Sequence, residues 1–403
     1  MKVCFNALMF PDIENDLRNS KRPNPVSGHV FQANMIKGLD ANLQAPVTVV
    51  NLPRIRRYPD YPKLVFRRQE FSHTEGAQDV HIGFVNLPAL NLVTATISLT
   101  RELCRWAKSC NGEEAKLVIF NGTLPQLIAL NFVKRRYPNV QAGACMGDLH
   151  GVYGVDSGDR GLKKTLQKSY YAWADHLSRK LDFFAFSTAP MAAALGVADK
   201  PFVVLEGLYD PAQIPQQDTS NTEEEKSLFY AGALHLDYGI AHLLRAFSLI
   251  EAPQYRLTIA GNGNAVPLIQ EYAAKDSRIT YLGLITPAQV KQRQAAACAL
   301  ISPRTSEREF VKYSFPSKTM ECLASGKPYI AHKLPCDPDE YGQVIQYAQE
   351  ETDASLRDKI VEICELPREE RLKIGIRAKQ FIKEEKNPAA MCKRIVELWN
   401  SVL

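Results

Sequence analysis

Runs of strand-forming residues alternate with amphipathic helical patterns along this chain, and the alternation restarts after its midpoint. Strands and helices that follow one another at this spacing favour a parallel sheet covered by helices on both faces. The predicted strands lie at residues 2–7, 47–52, 80–85, 116–121, 140–146, 181–188 and 202–205, and then at 228–232, 256–261, 279–283, 298–304 and 329–331. The pattern therefore predicts an α/β fold with more than one parallel sheet.

A chain of 403 residues is too long for one ordinary core and suits two domains of about 200 residues each. The segment 211–226 is rich in Gln and Glu, has no apolar period and is the best linker candidate. We therefore predict domains at 1–210 and 227–386, followed by a C-terminal helix at 387–403. The segment 11–25 contains Asn, Asp and Pro breaks and is predicted to be a mobile loop.

Composition excludes several classes of protein. The nine cysteines are odd in number and contain no C-x-x-C pair, which indicates reduced thiols rather than disulfides or a zinc site. No apolar run approaches the ~18 residues of a membrane-spanning helix, and the first apolar stretch is too short for a secretion signal. We expect a cytoplasmic protein that is at most peripheral to a membrane.

The net charge of +5 is unevenly distributed. Residues 1–205 carry 25 Lys and Arg against 17 Asp and Glu, a charge of +8, and the remainder carries 24 against 27, a charge of −3. A basic first half suits an anionic membrane surface or a pyrophosphate-bearing acceptor, although a solvated surface with scattered charge has the same composition. Nucleic acid is not expected as a partner, because the basic clusters lack interleaved aromatic residues.

The stretch 310–328 contains a candidate anion site. Pro316 fixes φ before a predicted helix that begins with Ser317, Lys318 and Thr319. Free N–H groups and the Lys318 charge would face an anion, and Glu321, one turn further along, could accept hydrogen bonds from hydroxyls of the same ligand. A site that binds phosphates and a diol together suits a nucleotide sugar. An ordinary capped helix packed on a sheet is the alternative interpretation.

Residues 316–331, P-S-K-T-M-E-C-L-A-S-G-K-P-Y-I-A, resemble the donor-site signature of retaining GT-B glycosyltransferases of the GT4 (group 1) type. The similarity is greatest to the group that builds capsular and exopolysaccharide repeat units. Earlier blocks occur in the family's order: a strand ending in Gly232, an I-x-G-x-G block with Gly261, and a P-S-R-like block with Arg304. The resemblance implies two Rossmann-like domains facing across a cleft, with the C-terminal helix crossing back to the first domain.

The resemblance implies roles for several residues of the second domain. The Glu matching Glu321 would hold the ribose of a nucleoside diphosphate sugar, and Ser317 and Lys318 would meet the diphosphate. The further donor-binding candidates are Gly232, Gly261, Arg304, Lys312 and Thr319. Of these groups, Arg304 and Lys318 are also candidate catalytic residues, because they could stabilise the departing diphosphate.

Three residues of the first domain are candidates for contact with the sugar or the acceptor. Gly28 lies where a loop meets a helix at the end of the first strand. Asp148 and His150 follow another strand and are candidate catalytic residues, because Asp148 could orient an acceptor hydroxyl and His150 could hydrogen-bond a sugar. The resemblance also implies polar contacts with donor or acceptor at this place. A histidine in a loop is also often only structural.

The chain departs from the family pattern at two places. Tyr313 stands where the family has its first Glu, and Tyr238-Gly239 stands where Lys-Gly is expected. An Arg expected just after the first strand of the second domain is also missing. Arg304, Lys312 and Lys318 could supply the missing positive charge.

The resemblance therefore implies a metal-independent, retaining hexosyltransferase that moves a hexosyl unit from a nucleoside diphosphate sugar, expected to be UDP-linked, to a glycan or lipid-linked saccharide acceptor in surface polysaccharide synthesis. No cofactor and no metal ligands are expected, since Asp337-Pro338-Asp339, a D-x-D, is interpreted as a turn. A nucleotide-sugar epimerase on the same fold and a non-catalytic nucleotide-sugar-binding protein remain alternatives.

Overall fold

The computed structural model describes residues 1–21, 26–151, 162–214 and 226–401. The chain divides into two compact units: unit 1 contains Met1–Leu208 and Pro388–Leu403, and unit 2 contains Tyr209–Asn387. Of the predicted linker at 211–226, residues 215–225 lie outside the described residues. All nine cysteines are described, and all are free thiols.

Unit 1 alternates strands and helices. Its strands are β1 (Lys2–Ala7), β2 (Thr48–Asn51), β3 (Val65–Phe66), β4 (Gln69–Phe71), β5 (Asp79–His81), β6 (Phe84–Val85), β7 (Ala115–Phe120), β8 (Val140–Met146), β9 (Phe183–Phe186) and β10 (Phe202–Val204). Its first six helices are α1 (Ile13–Asn19), α2 (Ser27–Asp40), α3 (Leu90–Ser109), α4 (Leu124–Arg136), α5 (Leu162–Ser178) and α6 (Pro190–Leu195).

An eight-stranded sheet forms the centre of unit 1, with the order β10-β9-β8-β7-β1-β2-β5-β4. Neighbouring strands are parallel except β4 and β5, which are antiparallel. In this order β2 lies on one side of β1, and β7 lies on the other side of β1. The carboxyl ends of β1 and β7 therefore form a topological switch point.

Unit 2 repeats the alternation. Its strands are β11 (Ser227–Ala233), β12 (Arg256–Asn262), β13 (Ile279–Tyr281), β14 (Ala299–Ser302), β15 (Tyr329–His332) and β16 (Ile345–Ala348). Its helices are α7 (Ile240–Ser248), α8 (Val266–Lys275), α9 (Pro287–Ala296), α10 (Lys318–Ala324), α11 (Asp353–Glu365) and α12 (Arg368–Glu385).

The sheet of unit 2 has the order β13-β12-β11-β14-β15-β16, and all its pairs are parallel. Strands that follow β11 in the chain are first added on one side of it, and from β14 onward on the other. The carboxyl ends of β11 and β14 therefore form the switch point of this unit. Leu257 and Ile259 of β12 and Ile301 of β14 are buried in one core cluster, and their neighbours Ala260 and Leu300 are buried in a second one. Because neighbouring side chains of a strand point to opposite faces, both faces of the sheet are buried, which explains the apolar strands.

The last helix, α13 (Pro388–Ser401), belongs to unit 1, as predicted. Met391, Ile395 and Trp399 are buried, and four-residue spacing places them on one face of the helix. Close packing against α2 requires glycine at position 38, because a Cβ on Gly38 would lie 2.2 Å from the Pro388 carbonyl oxygen. The expected fold class, with two parallel-sheet domains and a returning helix, is confirmed.

Two local predictions were wrong. The segment 11–25 contains helix α1, because Asp12 caps it by accepting a hydrogen bond from the Asn15 amide, and buried Asp16 accepts one from the Tyr61 hydroxyl at 2.8 Å. Residues 22–25 lie outside the described part of the chain. The predicted strand 80–85 is two strands, since the chain leaves the main sheet after β5 and β6 pairs with β3 in a separate two-stranded antiparallel sheet.

Among the described residues, none of the helices combines the length and apolar character that crossing a membrane requires.

Candidate functional site

A cavity of about 270 Å³ lies at the carboxyl ends of β11 and β14, the switch point of unit 2. Open parallel sheets bind ligands at this position, because loops diverge there and leave a crevice. Four of the predicted site residues line the cavity: Gly232, Arg304, Ser317 and Lys318.

The cavity is positively charged. Among the described residues that line it, Arg304 and Lys318 are cations and none is Asp or Glu. Burial raises the pKa of the Cys322 thiol to about 12, with the Glu321 charge adding to the effect, and burial also raises the pKa of the Tyr230 hydroxyl. Both groups are therefore neutral at pH 7. The cavity suits an anionic ligand.

Arg304 is held by two aromatic rings. Its guanidinium carbon lies 5.2 Å from the Tyr238 ring centre and 5.0 Å from the Phe310 ring centre. Contacts of this kind hold the planar cation without using its N–H groups. The buried Arg304 Nε has no hydrogen-bond partner among the described residues. Buried donors are almost always paired in native proteins, so this N–H is available to an acceptor that the described residues do not supply, such as a water molecule or a ligand oxygen.

Two glycines bring the loops of this site together. A Cβ on Gly239, whose φ is 80°, would lie 2.0 Å from the Pro303 carbonyl oxygen, so the loops after β11 and β14 touch only with glycine there. A Cβ on Gly261 would lie 1.9 Å from the Gly232 carbonyl oxygen. Gly261, a predicted donor-binding residue, therefore supports the cavity from behind and is not in its lining.

Lys318 extends from the first residue of α10 along the cavity. Its Nζ lies 3.5 Å from Glu321 Oε2, and both side chains are about half exposed, so the ion pair is loose. The Lys318 stem passes 3.6 Å from where a Cβ on Gly232 would lie. A Cβ at position 232 would be closer to the Tyr230 hydroxyl oxygen, at 3.1 Å, than to this stem.

The other donor-binding candidates of unit 2 lie outside the described cavity lining. Glu321 is exposed beside Lys318. Lys312 is exposed in a short 3₁₀ segment, Glu309–Tyr313, which also contains Tyr313. Thr319 is buried, with its hydroxyl 3.4 Å from that of Tyr329. The roles of these residues stay predictions.

In unit 1, Gly28 and Asp148 share a neighbour that the sequence interpretation missed. A Cβ on Gly28 would lie 2.3 Å from Arg54 Nη1, so Arg54 packs against the first turn of α2. Burial lowers the pKa of Arg54, and the nearby Asp148 opposes this shift. The sequence placed Arg54 only in a basic cluster. Its position after β2, at the carboxyl edge of the sheet, was the signal that could have identified it.

His150 has protein partners at both ring nitrogens. Nδ1 lies 2.8 Å from Asp175 Oδ1, and Nε2 lies 3.1 Å and 3.0 Å from the carbonyl oxygens of Asn121 and Gly122. These contacts tie α5 to the turn after β7. The predicted contact of His150 with sugar or acceptor would require replacing one of them.

The two carboxylates of the D-x-D also have protein partners. Asp337 accepts hydrogen bonds from the Leu334 amide and the Tyr347 hydroxyl, both at 3.0 Å, and Asp339 pairs with Lys333 at 2.8 Å. Burial raises the pKa of Asp337. Within the described ranges, no group of three His, Cys, Asp or Glu side chains is arranged to hold a metal ion. The D-x-D closes a turn, and metal independence remains a prediction.

Comparison with known proteins finds a family model that matches most of the second unit and solved structures that share the whole fold. Residues 225–365 match the family model described as glycosyl transferases group 1. No curated protein sequence matches the chain.

Three similar solved structures align over the whole chain. HepE from Anabaena in complex with UDP has a TM-score of 0.60 at 13% identity, with all of both chains covered. Sucrose-phosphate synthase from Thermosynechococcus elongatus has a TM-score of 0.61 at 14% identity, covering 100% of this chain and 99% of that one. The lipopolysaccharide outer core galactosyltransferase WaaB, in its apo form, has a TM-score of 0.62 at 12% identity, with all of both chains covered. Residues 225–365 thus resemble group 1 glycosyl transferases, and the chain has the two-domain GT-B fold.

Proposed function

We propose that this protein is a retaining glycosyltransferase that moves a hexosyl unit from a UDP-linked sugar to a glycan or lipid-linked saccharide acceptor in surface polysaccharide synthesis. The observation that carries the proposal is a cavity whose described lining contains two cations and no carboxylate, together with a buried Arg304 Nε that has no partner in the described part of the chain. A diphosphate supplies the acceptors that this donor lacks. The family match of the same region and the UDP in the HepE structure support the choice of donor.

Tyr238 explains how the site tolerates the loss of the family's lysine. It stands where the resemblance places Lys, and its ring lies against the Arg304 guanidinium. A positive charge that the family provides after β11 is therefore provided after β14, with Tyr238 as its support. An aromatic contact of this kind contributes about 0.5–2 kcal/mol, enough to favour one orientation of the guanidinium.

The proposed reaction breaks the bond between the anomeric carbon and the diphosphate oxygen, and forms a bond to the acceptor hydroxyl on the same face of the sugar. Arg304 and Lys318 stabilise the charge that develops on the leaving diphosphate. The proton of the acceptor hydroxyl passes to an oxygen of the departing diphosphate, which fits a chain with Tyr313 in place of a carboxylate. Glu321 holds the ribose hydroxyls at the exposed side of Lys318. No metal ion is required in this scheme.

For the acceptor side we propose the cluster of Gly28, Arg54 and Asp148 in unit 1. Arg54 is a cation that suits an acceptor bearing pyrophosphate, and Asp148 can accept a hydrogen bond from an acceptor hydroxyl. His150 acts on this cluster indirectly, by positioning the turn after β7. A lipid-linked acceptor also implies contact between unit 1 and an anionic membrane surface.

The proposal is tested by titrating the purified protein with UDP, GDP, dTDP and CMP, with and without EDTA, by calorimetry. UDP should bind, and EDTA should not change its affinity. Release of UDP from UDP-glucose with water as acceptor should then give α-glucose first, as followed by NMR. A protein that binds none of these nucleotides, or that releases the β-anomer first, would contradict the proposal.

A further inference from the structure

Helix α9 buries one side chain, and that side chain is polar. Gln294 is 8% exposed, and it is the one buried residue of this ten-residue helix, all of which is described. Val290, one turn earlier, and Ala297, just after the helix, pack in an apolar cluster with residues of the sheet. Spacings of four and three residues place all three on one face. The buried face of α9 therefore carries an amide where the pattern of an amphipathic helix predicts an apolar residue.

The amide of Gln294 belongs to the unit 2 cavity. Gln294 lines the cavity, and its side chain has no hydrogen bond to another described residue. Two neighbouring hydroxyls in the lining have protein partners: that of Tyr230 donates to the Ala233 carbonyl oxygen at 3.1 Å, and that of Tyr329 lies 3.4 Å from the Thr319 hydroxyl. Because a buried amide without partners is unfavourable, the Gln294 amide is available to a ligand or a water molecule in the cavity.

Apolar side chains surround this amide. Phe229, Leu300 and Phe315 line the cavity and belong to the same apolar cluster as Ala297. Among the described lining residues, none is Asp or Glu, so the amide has no charged competitor for its hydrogen bonds there. Ligand sites of this kind combine apolar walls with a few polar groups that fix orientation. A flat ring with a polar edge suits this part of the cavity.

The amide and the cations of the cavity lie at different positions along β14. Leu300 is the second residue of this strand, whereas Arg304 lies two residues beyond its end. Four residues of extended chain span about 13 Å. Helix α9 leads directly into β14, so Gln294, near the end of the helix, lies towards the beginning of the strand. The cavity therefore has an amide at one end and cations at the other, the order in which a nucleotide presents its base and its diphosphate.

We propose that Gln294 recognises the base of the nucleotide sugar. Its Oε1 accepts a hydrogen bond from uracil N3–H, and its Nε2 donates one to uracil O4, while the diphosphate meets Arg304 and Lys318. A glutamine amide offers one acceptor beside one donor, which matches two adjacent groups on the edge of a base. Uracil is the base of the proposed donor, so this pairing rests on the proposed function and adds to it the residue that reads the base.

Calorimetric titration of the full chain with UDP and with inorganic pyrophosphate tests the proposal. Gln294→Leu nearly keeps the size of the side chain and removes both polar groups, so UDP affinity should fall about 10–100-fold. Pyrophosphate has no base, so its affinity should equal that of the wild type, which also shows that the variant is folded. Gln292→Leu, at an exposed glutamine of the same helix, is the matched control and should bind both ligands like the wild type.

A modified ligand provides the second arm. 3-Methyl-UDP cannot donate a hydrogen bond from N3, so the wild type should bind it about 10–100-fold more weakly than UDP. Gln294→Ala removes the partner of this donor and leaves room for the methyl group. This variant should therefore bind the two ligands with affinities within about threefold of each other.

The outcomes distinguish this pairing from the proposed function. A wild type that binds neither UDP nor pyrophosphate would contradict both. If the wild type binds UDP, but Gln294→Leu and Gln292→Leu bind it equally, only the role of Gln294 is overturned. The same holds if the wild type binds 3-methyl-UDP as tightly as UDP, or if Gln294→Leu loses as much affinity for pyrophosphate as for UDP.

Discussion

The two units present the same kind of sheet edge to solvent, but they use its polar residues differently. In unit 2, the carboxyl edge leaves Arg304 Nε buried without a partner among the described residues, and Lys318 has only a loose contact with Glu321. In unit 1, the corresponding edge ties His150 to Asp175 and to two carbonyl oxygens. The difference teaches that position at a sheet edge does not by itself identify a ligand site. An unpaired donor beside a cavity lined by cations is the more specific signal, since an unpaired atom alone also occurs in unit 1, at the buried Asn6 Oδ1 of β1.

The largest expected effect is that of Arg304→Ala. Removing a charged donor aimed at a leaving group reduces kcat about 10²–10³-fold, or about 2.7–4 kcal/mol, and UDP affinity should fall as well. The measurement is UDP release from UDP-glucose together with calorimetric titration. Arg377→Ala, which removes an exposed arginine of the same unit, is the control and should behave like the wild type. Equal loss in both variants would mean that Arg304 has no special role.

A smaller loss is expected for Lys318→Ala. Lys318 is half exposed and would contact phosphate as a point charge, so UDP affinity should fall about tenfold. Glu321→Ala should also weaken UDP binding, but it should affect UDP more than pyrophosphate because its proposed partner is the ribose. Pyrophosphate affinity that falls as much as UDP affinity in Glu321→Ala would argue against that role.

His150→Ala tests whether the polar residues at the sheet edge of unit 1 are structural. Loss of the contacts with Asp175 and the turn carbonyls should lower the free energy of unfolding by about 1–3 kcal/mol and leave UDP affinity unchanged. Chemical denaturation measures the first quantity and calorimetry the second. His176→Ala changes an exposed histidine of α5, next to Asp175, and should change neither quantity. A variant that keeps its stability but loses transfer activity would instead place His150 at the substrate.

The smallest expected effect is a pH dependence of the unfolding free energy, and it comes from His73 in unit 1. Hydrogen bonds from His73 to Asp40 and Asp79 raise the pKa of this histidine to about 9. Because the folded state holds this proton more tightly, the stabilisation is complete below pH 6.5 and is lost as pH rises from 6.5 through 9. The change should be about 1–2 kcal/mol, since solvent screens part of the interaction. His73→Gln should flatten the pH dependence of the unfolding free energy over this range, without changing UDP binding.

Much of the fold follows from the sequence because strand and helix periods are local properties. The last helix was predictable from Met391, Ile395 and Trp399, which share one face, whereas its return to unit 1 was implied only by the family resemblance. Helix α1 was not, because it depends on Asp16 meeting Tyr61, 45 residues away. The edge strand β4 was missed for a similar reason, since a three-residue strand is defined by its partner.

The candidate site was predictable in part. Arg304, Ser317 and Lys318 follow strands or open a helix, so their placement at one sheet edge follows from topology. The pairing of Tyr238 with Arg304 could not be read from the sequence, because 66 positions separate them and no local pattern links them. The same holds for Arg54 and Gly28, which meet only after β2 and α2 are assembled on the sheet.

A crystal structure of the protein with UDP would test the central claim most directly. We predict the diphosphate in the unit 2 cavity, with an oxygen at about 2.7–3.2 Å from Arg304 Nε and Tyr238 still stacked on the guanidinium. UDP bound elsewhere, or bound in the cavity with Arg304 Nε still unpaired, would contradict the account.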